Sequence, residues 1–162
     1  MWFILGSTNK HSFYVATNRE LTWGGRRRWL KIVIYDYVED MYKDASRYSQ
    51  VPISTFEGAY GLYQPPWYKI LVIPGQPDIP THPRHYGGLI RLYKPKISQE
   101  VINHEAVHAA AAIWRMDVGD QVNLGNDCED DEEKFAYMVG DLSAGITKVL
   151  VKADISVFIW NQ

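Results

Sequence analysis

The chain has 162 residues, of which 46% are hydrophobic and 22% charged, and its formal net charge is −2. A chain of this length and composition can bury a core of its own, which predicts a single ordered domain over residues 1–162. The near-neutral charge gives no general attraction to nucleic acid, and no apolar run is long enough to span a bilayer. The single cysteine, Cys128, excludes an internal disulfide and favours a reducing compartment such as the cytoplasm.

The first part of the chain predicts β-strands and one short helix. Apolar and aromatic residues at 2–6 and 12–16 flank a polar segment and predict a β-hairpin. The β-rich segment 29–35, WLKIVIY, predicts a buried strand. Apolar residues recur at helical spacing over 38–48, which predicts a short helix.

The middle of the chain predicts further strands around a long loop. Short strands are predicted over residues 60–63 and 68–73. The four prolines and three glycines of residues 74–88 predict an irregular loop. Residues 89–93, LIRLY, alternate in hydrophobicity and predict an edge strand that leads into the next helix. The apolar tail at 155–160 is interpreted either as a last strand or as a surface for a partner.

The pentad HEAVH lies in a segment with clear helix signals. Pro95 disfavours a helix that continues past it toward the N-terminus, so the helix is predicted to begin after it. Ser98 is a favourable N-cap. On a helix, His104 and His108 share one face, so their imidazoles can bind one Zn²⁺ from the same side. Glu105 then lies where it can hold a water molecule as general base. An HExxH pattern in this context predicts a zinc site for hydrolysis.

A third metal ligand has to come from another part of the chain, and no histidine follows His108. An acidic run after it leads into a second predicted helix, which begins near Asp130 and carries apolar residues at helical spacing. Less favoured candidates are the single thiol of Cys128, the carboxylate of Glu129, and two histidines in the loop before the edge strand, His82 and His85.

Close approach of the two helices requires small residues on both. The first helix offers Ala109 to Ala112, and the second has a strip of small residues, Ala136, Gly140 and Ala144. Glu133 lies on this strip and is the predicted third ligand, with Glu132 as the alternative. Asp130 and Glu133 also have the spacing of a capping box, so Glu133 could instead close the helix N-terminus.

The two predicted helices resemble those of the gluzincin metallopeptidases, which pair HExxH with a glutamate on a following helix. The segment EKFAY that begins at Glu133 is similar to the ENxGFA-type segment of aminopeptidases, and the spacing of the small residues after it resembles the thermolysin pattern. The resemblance covers residues 89–145. There are two departures: a longer gap between His108 and Glu133, and Tyr137 where thermolysin-like enzymes have an aspartate that orients a ligand histidine.

This resemblance implies a zincin-like α+β fold, in which a small mixed sheet accompanies an HExxH helix packed against a second, glutamate-bearing helix. It implies a zinc-dependent metallopeptidase acting on a peptide or protein substrate, with Zn²⁺ held by His104, His108 and Glu133. In zincins an edge strand lines the cleft and pairs with extended peptide, a role that residues 89–93 would fill. The hydroxyl of Tyr137, or that of Tyr93, is the candidate donor to the oxyanion of amide hydrolysis.

Two alternatives stay open. The compact form is similar to small HExxH proteins encoded by phages and mobile elements. The first alternative is an inactive zincin-fold binding protein, in the host cytoplasm or associated with a virion, and the missing aspartate at Tyr137 favours it. The second is a nucleic-acid-associated protein that uses Arg26, Arg27 and Arg28, which lie between Trp23 and Trp29. The sequence leaves the oligomeric state open.

Overall fold

The computed structural model describes residues 10–20, 26–67, 69–71, 74–75, 79–81, 85–119 and 129–159. Within these ranges the protein has an α+β fold with a four-stranded mixed sheet, a two-stranded ladder and three α-helices. In chain order the elements are β1 (Lys10–Ala16), β2 (Trp29–Tyr35), α1 (Val38–Ser49), β3 (Gly61–Gln64), β4 (Lys69–Leu71), β5 (Ile79–Thr81), β6 (Tyr86–Tyr93), α2 (Gln99–Val118) and α3 (Glu129–Lys152).

The four-stranded sheet has the order β1-β2-β6-β3. The two inner strands, β2 and β6, run parallel, and each pairs antiparallel with one outer strand. Among the described strands β3 is therefore an edge, and its register places Gly61 opposite Leu92 and Gln64 opposite Leu89. Among the described residues, β3 is thus the shortest strand of this sheet and, like β1, pairs with a neighbour on one side only.

The prediction that residues 89–93 form an edge strand is wrong, because they belong to β6, which has a partner on each side. The alternation in LIRLY depends on Arg91, and this side chain is buried rather than turned to water. Its Nε donates to Gln64 Oε1 at 2.6 Å, and its guanidinium also bonds the Tyr35 hydroxyl. Because these partners satisfy the guanidinium, the charged residue Arg91 can lie buried on an interior strand.

Most of the other predicted elements are confirmed within the described residues. The predicted strands over 12–16, 29–35 and 60–63 correspond to β1, β2 and β3, the core of 68–73 to β4, and the helix over 38–48 to α1. The predicted loop over 74–88 is wrong in part, because Ile79–Thr81 pairs with β4 and β6 already begins at Tyr86. Residues 2–6 lie outside the described part of the chain.

Helices cover both faces of the sheet. The side chains of each strand point alternately to the two faces, so each face has its own set of packed residues. One face packs against α2 and α3, and its buried strand residues are Val15, Leu30, Ile32, Ile34, Ile90 and Leu92. The other face packs against α1 and includes Val33, Tyr35 and Leu89. Burial on both faces explains why the segment WLKIVIY is almost continuously apolar.

The helix that carries the HExxH pentad has clear signals at both ends. The Ser98 side chain accepts a hydrogen bond from the Val101 backbone N–H at 3.2 Å, which confirms the predicted N-cap. Gly119 ends the helix in a left-handed conformation with φ of 85°, and its N–H donates to the Arg115 carbonyl. The second predicted helix is also confirmed, and it begins at Glu129.

A buried ion pair fixes the last turn of α2 to the residue before β2. The guanidinium of Arg28 lies 2.6 Å from Asp117 Oδ1 through Nη2 and 3.0 Å through Nε, and both side chains are 2% exposed. The second oxygen, Asp117 Oδ2, is buried without a hydrogen-bond partner. Arg28 is therefore removed from the surface, and of the predicted nucleic-acid-binding arginines only Arg26 and Arg27 are exposed.

We expect Asp117→Ala to lower the free energy of unfolding by about 3–5 kcal/mol, because it leaves the buried Arg28 guanidinium without its counter-charge. Urea unfolding measures this. The double variant Arg28→Met/Asp117→Leu should recover most of the loss, because it removes both buried charges. The control is Asp40→Ala, which breaks an exposed pair with Lys43 at 3.8 Å and should cost less than about 1 kcal/mol. Equal losses in Asp117→Ala and Asp40→Ala would contradict the role of burial.

Candidate functional site

Two histidines of the HExxH pentad lie together on the exposed side of α2. Their Nε2 atoms are 3.1 Å apart, and their rings meet edge to face with centroids 4.7 Å apart. This arrangement follows from the helical spacing of four residues, which places His104 and His108 one turn apart on one face. Burial and the neighbouring His104 both lower the pKa of His108, which favours the neutral imidazole that binds metals.

The separation of the two imidazole nitrogens fits a shared zinc ion. Zinc–nitrogen bonds of about 2.0–2.1 Å at a tetrahedral angle place two nitrogen ligands roughly 3.3–3.4 Å apart. The observed 3.1 Å between the Nε2 atoms of His104 and His108 is close to that value. The separation is therefore compatible with one ion shared by both side chains, and both residues are exposed.

Glu105 lies on a different side of α2, where the helix faces the edge strand β3. Its side chain is 4% exposed, and its carboxylate accepts a hydrogen bond from the Tyr63 backbone N–H. Burial raises the pKa of Glu105, while the charge of His104 and the Tyr63 N–H lower it by smaller amounts. A cavity of about 260 Å³ opens beside this carboxylate and is lined by Tyr60, Gly61 and His104, among others.

The third predicted ligand does not join the histidines. In the described part of the chain, no group of three or more His, Cys, Asp or Glu side chains has a metal-binding arrangement. Glu132 and Glu133 are exposed residues near the beginning of α3. Cys128 and His82 lie outside the described residues.

The register of α3 against α2 explains where Glu133 lies. The hydroxyl of Ser143 is 2.5 Å from Asn103 Oδ1, and the rings of Trp114 and Phe135 meet with centroids 6.4 Å apart. The two helices therefore run antiparallel, and the start of α3 is level with the last turns of α2. By the same register, Glu133 is about two turns beyond His108.

The helix-face argument that selected Glu133 is wrong on one point. Ala136, Gly140 and Ala144 are exposed, and a Cβ at Gly140 would meet nothing within 4 Å. These small residues line an open groove, whereas α3 meets the core with larger side chains, Met138, Leu142 and Ile146. Small residues do allow close packing on α2, where Ala109 and Ala110 are fully buried. Glu133 as a ligand stays a prediction that depends on the family resemblance.

Two further candidates, Tyr137 and His85, do not line this cavity. Tyr137 is 64% exposed on α3. His85 is exposed just before β6, while the cavity lies beside Gly61, which pairs with Leu92 near the other end of that strand. At a rise of about 3.3 Å per residue, those two ends are roughly 20 Å apart. His85 therefore belongs to the opposite end of the sheet.

Two residues that contact Glu105 were missed in the sequence, Gly61 and Tyr63. A glycine inside a predicted strand is a signal for close backbone approach, and Gly61 lies in the predicted strand 60–63. That signal does not say which element approaches. The Tyr63 contact has no side-chain signal, because the group involved is a backbone N–H.

Comparison with known proteins finds no matching family model, no matching curated sequence and no matching solved structure. None of the helices in the described ranges is long and apolar enough to cross a membrane.

We expect Glu105→Gln to stabilise the metal-free protein at neutral pH, because it removes the cost of a buried charge and keeps an oxygen for the Tyr63 N–H. The folded-state pKa of Glu105 is raised, so its favourable contribution is present below the unfolded-state pKa and is lost as pH rises through the folded-state value. The stability difference should be near zero at about pH 4 and should grow as pH rises. Thermal unfolding from pH 4 to 8 measures it, and a difference independent of pH would contradict the assignment to Glu105.

Proposed function

We propose that the protein is a zinc-dependent metallopeptidase with a zincin-like fold. His104 and His108 would hold the zinc ion, and Glu105 would act as general base on a water molecule. The observation that carries this proposal is the 3.1 Å separation of the two Nε2 atoms, with a buried carboxylate on the next residue beside an open cavity. Peptides or proteins are the proposed substrates.

The edge strand supports an extended peptide as substrate. The Tyr93 N–H donates to the Tyr60 carbonyl at 3.0 Å, so Tyr60 and Leu62 direct their backbone groups toward β6. Gly61 and Tyr63 alternate with them and direct theirs to the open side of β3. The Tyr63 N–H bonds Glu105, and Gly61 lines the cavity. Open backbone groups of an edge strand can bind a peptide backbone regardless of its side chains.

Glu105 has the properties required of the proton acceptor. A bound zinc ion lowers the pKa of a coordinated water toward neutrality and polarises a carbonyl group. Glu105 accepts the proton of the attacking water and returns it to the leaving amine. Its carboxylate lies beside the cavity that His104 also lines, which is where such a water would have to lie.

The third ligand in this proposal is Glu133, with Glu132 as the alternative. Both choices depend on the resemblance to gluzincins. Either glutamate can reach the metal only if the start of α3 lies closer to His108 than it does in this structure. Both side chains are exposed, so packing in the core does not hold either of them in place. With His104 and His108, either glutamate would supply the third ligand of a zinc ion, which would also bind a water molecule.

The second candidate function is an inactive zincin-fold binding protein, including a virion-associated one. The observation that favours it is the absence of a third ligand beside the histidines among the described side chains. Zinc content does not separate the two functions, because both can retain metal. Hydrolysis of a peptide library by the zinc-loaded protein does, with Glu105→Gln as the control for contaminating peptidases. A nucleic-acid role loses support, because Arg28 is buried in its pair with Asp117.

We expect the purified protein to bind about one Zn²⁺ per chain, and His108→Ala to lose that binding, because one of two helical imidazoles is removed. Zinc titration by calorimetry, together with anomalous scattering at the zinc edge, measures occupancy and ligands. The matched control is His85→Ala, an exposed histidine at the other end of the sheet, which should bind zinc as wild type does. Unchanged binding in His108→Ala would contradict the proposed site.

Three glutamate variants separate the proposed roles. Glu105→Gln should retain zinc and lose hydrolysis, because an amide cannot accept the proton. Glu133→Gln should bind zinc more weakly and regain activity in excess metal, because an uncharged amide is a poorer ligand. Glu132→Gln should change neither property. Zinc loss in Glu132→Gln instead of Glu133→Gln would reverse the ligand assignment, and retention by both would end the gluzincin assignment.

A further inference from the structure

A close contact between β3 and α2 lies beside Glu105. A Cβ added at Gly61 would be 2.6 Å from Val101 Cγ1, 2.9 Å from Glu105 Cγ and 3.1 Å from Glu105 Oε1. Carbon atoms make their best contacts at about 3.5–4.0 Å, so the first two distances are too short. The β3 backbone therefore lies so close to α2 that a side chain at position 61 would not fit between them.

The backbone conformation does not explain this glycine. Gly61 has an ordinary strand conformation, unlike Gly58 and Gly88, whose φ angles are 85° and 115°. The contrast with Gly140 is also clear, because a Cβ there would meet nothing within 4 Å. The requirement at position 61 is thus steric, and two of the three nearest atoms belong to Glu105.

We propose that Gly61 is a positioning residue for Glu105: it lets β3 lie against α2 so that the Tyr63 N–H holds the Glu105 carboxylate beside the cavity. The effect of Gly61 on catalysis rests on the proposed function. The contact itself stands on the geometry of β3 and α2 alone.

Two features make Glu105 the group that would move. Val101 is β-branched and therefore stiff at χ1, whereas the longer Glu105 side chain has more rotatable bonds. The Tyr63 N–H points to the open side of β3, where Glu105 is the acceptor described above. A Cβ at position 61 would thus either push β3 away from α2 or turn the carboxylate away from the Tyr63 N–H.

Amide hydrogen exchange tests the contact without zinc or substrate. In Gly61→Ala the Tyr63 amide should exchange at least tenfold faster than in wild type, and Glu105→Ala should have the same effect. The Leu62 amide, which bonds β6, should stay protected. Gly140→Ala is the matched control and should leave both amides unchanged. Unchanged Tyr63 protection in a folded Gly61→Ala protein, or equal loss at Leu62 and Tyr63, would overturn the proposal.

A second variant separates positioning from packing. Val101→Ala removes the nearest clashing atom, so Gly61→Ala/Val101→Ala should fold with β3 in place while the new Cβ still displaces Glu105. The double variant should melt close to Val101→Ala, yet its Tyr63 amide should still exchange fast. Recovery of Tyr63 protection in the double variant would show that Gly61 serves only to fit Val101, and would overturn the proposal.

Activity then tests the consequence. In the zinc-loaded enzyme, Gly61→Ala should lower kcat by about a hundredfold, because misplacement of a reacting group by about 1 Å has an effect of this size. Gly140→Ala, where an added Cβ meets nothing within 4 Å, should leave kcat unchanged. Equal losses in Gly61→Ala and Gly140→Ala would overturn the positioning role. If the wild-type protein hydrolyses no peptide, the proposed function fails, while the exchange result still decides the contact.

Discussion

The candidate site depends on the packing of α2 between the sheet and α3. One side of this helix is buried on the sheet through residues such as Ile102 and Ala109. A second side bonds α3, where the Gln99 amide donates to the Ser143 hydroxyl at 2.9 Å. The remaining side is open and carries His104 and His108. Since each residue advances about 100° around a helix, packing of the first two sides fixes the direction of the third.

Small side chains make this packing close. Ala106, Ala109 and Ala110 are fully buried, so α2 can approach both the sheet and α3 with little side-chain bulk between the backbones. Near its C-terminus the buried Arg28–Asp117 pair fixes the helix to the residue before β2. The site lies in the N-terminal half of the same helix, and a helix holds side-chain positions more precisely than a loop does.

Local spacing was sufficient to predict the histidine pair, because two residues four positions apart on a helix meet whatever surrounds the helix. It was also sufficient for the helix ends, where Ser98 and Gly119 act through their own neighbours. The order of strands depends instead on pairing between distant segments. Arg91 led to an assignment of β6 as an edge because its polar partners, Gln64 and Tyr35, come from two other strands.

The position of the third ligand could not be predicted from the sequence for a related reason. Helical periodicity predicts which residues share a face, but it does not give the register of one helix along another. In the structure that register is set by contacts such as Asn103 with Ser143 and Trp114 with Phe135. The small residues of α3 were correctly placed on one strip, yet this strip lines an open groove. The face toward the core is selected by the larger apolar residues, because they bury more surface.

The identity of the edge strand changes how the site would work. With β6 as the edge, a bound peptide would lie along the strand that enters α2. With β3 as the edge, the open backbone groups of Gly61 lie beside the cavity that His104 and Glu105 share. A peptide paired with β3 would therefore run past Glu105 and past His104, which lines the same cavity. Peptide recognition and proton transfer would then depend on one contact, that of β3 with α2, and the burial of a charged glutamate is the energetic cost of that contact.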